Sequence, residues 1–229
     1  LQALCLMKLC YISEAAAFAT DIQLQSMIRL YNGLVQGELM PNDSDIFTDA
    51  DYLSVHNQTL LHHMMGKEAI SGYQKALGLA PTPEYKAFTL KQLAAALWQV
   101  AQAEAAIQTL EEALALDLPP AAKCSLRVDM VAYQMSSWAP PFSIAQMSTL
   151  KSSIGDCIAY YEDREAPIIL ASLLVQASEI ANLDKSYAES LGYIQRAIEL
   201  YTQEELPEQL AEAGQRKGTL LYTWAQEGN

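Results

Sequence analysis

The chain has 229 residues, with 14 Lys and Arg against 27 Asp and Glu and a net charge of −13. Its 34 Ala and 32 Leu against 6 Val exclude a β-rich domain, because Ala and Leu form helices well while strands favour β-branched residues. A chain that is 51% hydrophobic can offset its conformational entropy by burial, which excludes disorder.

The acidic balance repels phosphate backbones and anionic lipid, and the tightest cationic cluster is only Arg216-Lys217. Neither nucleic acid nor a membrane surface is therefore an expected partner. The opening stretch Leu1 to Leu9 carries Lys8 and runs on into Glu14 and an Ala-rich segment, which reads as a helix and not as a signal peptide. It begins without Met and without a capping residue, so a piece of a longer array is expected, the alternative being that the charged helix from Pro207 to Trp224 is a natural solvating cap. No apolar run approaches the roughly 18 to 20 residues of a membrane span. The cysteines Cys5, Cys10, Cys124 and Cys157 make no disulfide framework; they read as free thiols of a reducing, cytoplasmic compartment.

Sites of chemistry are sparse along the chain. The segment from Asn42 to Asp51 is acidic, but a calcium loop starting at Asp43 would place Phe47, Thr48 and Ser54 where a ligand, Gly and Glu are required, so it fails. Thr48 with Asp51 reads instead as a helix start. Among His56, His62 and His63 there is no His-Glu-x-x-His pattern, and no carboxylate sits at i±4 of His62 or His63, which leaves no expected metal site. Gly33 and Gly37 lack the apolar context of a membrane-packing motif. Gly214 to Gly218 lacks the ending of a phosphate loop, and no Gly-x-Ser-x-Gly occurs. No catalytic residue and no cofactor is expected.

Proline stands at 41, 81, 83, 119, 120, 140, 141, 167 and 207. Since it cannot continue a helix interior, intervals of 40, 38 and 40 residues from Pro41, Pro81 and Pro167 predict helical units of that length. Pro140-Pro141 separates two helices inside one longer interval. The units run roughly over 1–41, 42–82, 83–120, 121–165 and 166–206, with a partial unit at 207–229, in a single domain.

Three stretches share one pattern: Ala69-x3-Tyr73-x2-Ala76, Ala106-x3-Leu110-x2-Ala113 and Ser190-x3-Ile194-x2-Ala197. Spacings of 4 and 3 put the three positions on one helix face, where the small residues allow close helix approach. A partner helix precedes each; in the second case it runs from about Glu84 to Val100, with Leu90, Leu93, Ala94 and Leu97 along one side.

The pattern Ala69, Tyr73, Ala76, then Pro81 resembles the second helix of a tetratricopeptide repeat, and Ala106, Leu110, Ala113 repeats it. Leu90, Leu93, Ala94 and Leu97 stand at first-helix signature positions. The segment Ala197 to Ala211 is similar to the longer variant of bacterial multi-repeat proteins, whose next first-helix Gly and Leu would be Gly218 and Leu221. The resemblance implies an all-α fold, an α-α superhelix of antiparallel helix pairs, and a groove for a protein or peptide lined by first helices. Carried onto this chain, the groove positions are Lys91, Gln92, Ala95, Trp98 and Gln99, with Gln215 and Tyr222 as counterparts of Lys91 and Trp98 in the last unit. Trp98 is read either as a groove anchor or as a side chain buried against the neighbouring repeat. Ala95 stands where the family's carboxylate clamp has Asn, so a chaperone-type acidic tail is not expected. The functional expectation is a non-catalytic binding scaffold; the alternative is a sensor or oligomerisation region of a larger regulatory protein, such as a transcription activator or ATPase.

Overall fold

The computed structural model describes residues 66–80 and 82–228. The readings made on Cys5, Cys10, Gly33, Gly37, the 42–51 segment and the three histidines lie outside the described residues. So does nearly all of the first two units.

All regular structure among the described residues is helical: α1 (Gly66–Leu77), α2 (Pro83–Gln99), α3 (Ala103–Leu114), α4 (Pro120–Ser137), α5 (Ile144–Glu162), α6 (Pro167–Leu183), α7 (Tyr187–Gln203) and α8 (Pro207–Gln226). Two compact units divide the chain, Leu1–Asp117 and Leu118–Asn229. In the first, α1 packs on α2 and α2 on α3; in the second, α4 to α8 pack consecutively.

Proline explains where helices begin. Pro83, Pro120, Pro167 and Pro207 each open a helix, a position where the missing N–H has no intrahelical partner anyway and the fixed φ suits the first turn. Thr82 caps α2 by accepting a hydrogen bond from Tyr85 N at 3.2 Å. α5 starts with a reciprocal capping box: Ser143 Oγ accepts from Gln146 N at 3.2 Å while Ser143 N donates to Gln146 Oε1 at 2.8 Å.

Three helix ends are closed by backbone hydrogen bonds. After α2, Ala101 adopts φ 60°, its N–H bonds Trp98 O, and Gln102 N bonds Leu97 O. After α6, Lys185 (φ 59°) and Ser186 do the same with Asn182 O and Ala181 O, and after α7 Glu205 (φ 54°) and Leu206 with Thr202 O and Tyr201 O. These are Schellman closures, in which the last carbonyls are satisfied by the residues that turn the chain away. All three put a residue with a Cβ into the left-handed region, at a cost of about 1 kcal/mol each.

The repeated face is buried throughout. Ala69, Tyr73 and Ala76 on α1, and Ala106, Leu110 and Ala113 on α3, are fully buried, as are Ser190 and Ala197 on α7, with Ile194 at 1% exposure. Leu90, Leu93, Ala94 and Leu97 are buried on the facing side of α2. Close approach is visible at Gly66, where an added Cβ would meet Val100 Cγ1 at 2.8 Å and Ala96 O at 3.2 Å. In the second unit one core joins Cys124 and Val131 of α4, Leu150, Ile154 and Cys157 of α5, and Leu173 and Ile180 of α6. A second joins Leu170 and Leu174 of α6, Tyr187, Ile194 and Tyr201 of α7, and Ala213 and Leu220 of α8. Leu150, Ile154 and Cys157 keep the 4-and-3 spacing, with Leu at the small position and Cys in place of Ala.

Candidate functional site

The polar residues of α6 and α8 enclose a cleft. Its larger part, a cavity of about 380 Å³, is lined by Glu179 and Asn182 of α6 and by Glu212, Gln215, Arg216 and Thr219 of α8, with Ser178, Ser190 and Leu220 also lining it. A smaller cavity of about 180 Å³ adjoins it along α6, past Ser172, Val175 and Gln176, and again includes Glu179, Glu212 and Arg216.

Arg216 is the one cation among the three residues shared between them. Its guanidinium forms an ion pair with Glu179 across the cleft and another with Glu212, one turn earlier on its own helix, at 2.8 Å. Two carboxylates thus face one cation. The side-chain oxygens of Gln176 and Asn182, from residues lining the two cavities, are buried without a hydrogen-bond donor among the described residues. A buried acceptor in that state lacks the compensation that normally accompanies burial.

The helix turns supply a register for comparing units. Placing Lys185 on Ala101, the left-handed residues after α6 and α2, sets Val175 on Lys91, Gln176 on Gln92, Glu179 on Ala95 and Asn182 on Trp98. All four of these α6 residues line the cleft. The register that pairs Gln215 with Lys91 likewise sets Arg216 on Gln92 and Thr219 on Ala95, and all three α8 residues line the larger cavity.

The residues named from sequence fall into two groups. Lys91, Gln92, Ala95 and Trp98 are partly buried and Gln99 is exposed, all on α2 in the first unit. Gln215, exposed on α8 in the second unit, lines the larger cavity. Tyr222, on the same helix, is 68% exposed and does not line either cavity. Gly218 and Leu221 are exposed, and a Cβ built on Gly218 would meet no described atom within 4 Å beyond its chain neighbours and its own helix backbone. Residue-by-residue transfer reached α2 and α8 but not α6, so Gln176, Glu179 and Asn182 were missed. The signal that would have found them is Ser190, which shares its pattern position with Ala106 and thereby fixes the same register.

Among the described residues no group of three His, Cys, Asp or Glu is placed to hold a metal ion. No described helix is long and apolar enough to cross a membrane. Cys124 and Cys157 are buried free thiols; the Cys157 Sγ donates weakly to Cys124 O at 3.8 Å. Burial, reinforced by the adjacent Cys124, pushes the Cys157 thiol up to about 12.

No family model matches the chain, and no curated protein matches it. Several solved structures are similar to it. MamA aligns with a TM-score of 0.54 at 14% identity, over 82% of this chain and 99% of its own. BtubC (BKLC) from P. vanneervenii aligns with 0.58 at 11% identity, over 90% and 92%. A Rap protein complexed with Competence and Sporulation Factor aligns with 0.54 at 13% identity, over 99% and 76%. At such identities the likeness shows the fold, an all-α superhelix of paired helices.

Proposed function

We propose that this chain, which is a tetratricopeptide-like helical-repeat protein, is a non-catalytic scaffold that holds a protein or peptide segment against its first helices. One observation carries the reading: a single register places Val175, Gln176, Glu179 and Asn182 of α6 and Gln215, Arg216 and Thr219 of α8 on one cleft. The same register on α2 is Lys91, Gln92, Ala95 and Trp98, so these, with Gln99 and Tyr222, are proposed as further contact positions. A trough running along two helices suits an elongated guest better than a small molecule, whose sites close around most of its surface. A structure of similar fold, Rap, was solved with a partner factor, which supports partner binding over chemistry.

The test is retention of a partner captured by the immobilised chain. Alanine at Trp98, Gln176 or Gln215 is expected to lower retention by about tenfold, the usual effect of losing a central contact. Glu112→Ala, on the exposed side of α3, is expected to leave it unchanged. Equal retention by all four variants would place the partner on another surface.

A further inference from the structure

The cleft between α6 and α8 carries more information than its position in the register. Glu179 and Glu212 stand on opposite walls, and among the described residues the only cation lining the cleft is Arg216, which pairs with both. The remaining lining groups are neutral: Ser172, Gln176 and Asn182 on one side, Gln209, Gln215 and Thr219 on the other. The cleft therefore has an excess of one negative charge. Two of the lining residues, Gln176 and Asn182, also carry a buried side-chain oxygen without a hydrogen-bond donor among the described residues.

We propose that the guest of this cleft is an extended polypeptide segment whose Arg or Lys side chain enters between Glu179 and Glu212 and displaces Arg216. This rests on the groove reading above and names the chemistry of its guest. Charge complementarity selects the class. A guest cation faces two carboxylates, while a guest carboxylate would meet two like charges before reaching a guanidinium already engaged, an arrangement that suppresses wrong partners. Length fits as well. From Ser172 to Asn182 the helix rises about 15 Å, which spans about five residues of extended chain. Displacing Arg216 joins the two cavities into one trough, and the freed guanidinium, on a flexible stem and partly exposed already, returns to water.

The experiment uses the full chain and synthetic peptide pools about seven residues long, with randomised flanks and a central residue fixed as Arg, Lys, Gln or Glu. Binding is read by fluorescence anisotropy. The Arg and Lys pools are expected to bind, and Glu179→Gln with Glu212→Gln to weaken them about tenfold. Glu111→Gln with Glu112→Gln, the same charge change on exposed α3 positions, is expected to alter binding less than about twofold. Arg216→Ala, which removes the internal competitor, is expected to strengthen it. Preference for the Glu pool, lost in Arg216→Ala, would overturn the basic-guest assignment while leaving a peptide groove. Weakening of equal size in both Glu-to-Gln pairs, or no pool binding at all, would overturn the groove itself. Circular dichroism of each variant keeps misfolding from being read as lost binding.

Discussion

Ser178 of α6 and Ser190 of α7 clasp each other reciprocally: each hydroxyl donates to the other's main-chain carbonyl, at 2.9 and 2.7 Å, with the two oxygens 2.9 Å apart. The pair lies at the floor of the cleft, at the positions that Ala94 and Ala106 occupy between α2 and α3. Both sites are closed to solvent, and only small side chains let the helix backbones approach so near.

Size and hydrogen bonding are separable at this contact. Ser190→Ala is expected to cost about 1 kcal/mol, the net worth of one hydrogen bond, because it reproduces the Ala pair of the first unit. Ser190→Val adds volume at the closed contact and loses the bond, and is expected to cost about 2 kcal/mol or more through overpacking. Urea midpoints of the two variants rank them. A smaller loss for Val than for Ala would mean that close approach is not what the position requires.

The three left-handed turns make a second, opposite expectation. Ala101→Gly and Glu205→Gly relieve a Cβ held at positive φ, so each should stabilise the chain, by about 0.5 kcal/mol once the larger entropy of the unfolded glycine is set against the relief. Thermal unfolding of the two single variants and their combination measures this. A lowered midpoint in both would show that the turns are not strained.

Acid sensitivity should reside in exposed ion pairs of the second unit. The Arg196 guanidinium donates two hydrogen bonds to the Glu162 carboxylate, at 2.6 and 2.5 Å, and holds it below the ordinary range. Lys151 does the same for Asp184 at 2.6 Å. A carboxyl whose folded pKa is depressed contributes stability that is complete above its unfolded value, near 4.5 for Glu and 3.8 for Asp, and lost as pH falls through the folded value. Both pairs are largely solvated, so each should contribute only about 0.5 kcal/mol. Glu162→Gln is expected to flatten the fall in urea midpoint below about pH 5 and to leave the acid limb otherwise intact. An unchanged limb would assign the sensitivity elsewhere.

Thiol chemistry gives a probe of the core between α4 and α5. With its pKa raised to about 12 and no exposed surface, Cys157 has a thiolate fraction of only about one in ten thousand at pH 8. Iodoacetamide is therefore expected to modify Cys157 only at the rate at which this part of the chain opens, so labelling should speed up in step with urea-induced unfolding. Rapid labelling in the native state would contradict the packing around Leu150 and Ile154.

Where sequence could be read, the reason was local. Proline forbids a helix interior by its own geometry, so Pro83, Pro120, Pro167 and Pro207 mark helix starts without reference to anything distant. Spacing of small and large residues likewise determines which face is buried, as Ala106, Leu110 and Ala113 show. α5 escaped the pattern because Leu150 stands where the other units have Ala or Ser, and Cys157 where they have Ala. The turns escaped because their closure uses backbone groups and no glycine, leaving Ala101, Lys185 and Glu205 without a signature. The cleft was the least legible part, since its character depends on Glu179 and Arg216, 37 residues apart in the chain, meeting across two helices.

Arg216 also has a consequence for everything that does not belong in the cleft. A chain with net charge −13 would gather small cations at any uncompensated pair of carboxylates. Here the compensating ion is tethered, and a tethered competitor acts at an effective concentration of millimolar or more. A stray lysine must outcompete it by a single contact. A longer guest spreads its hold over several residues and meets the same competitor only once.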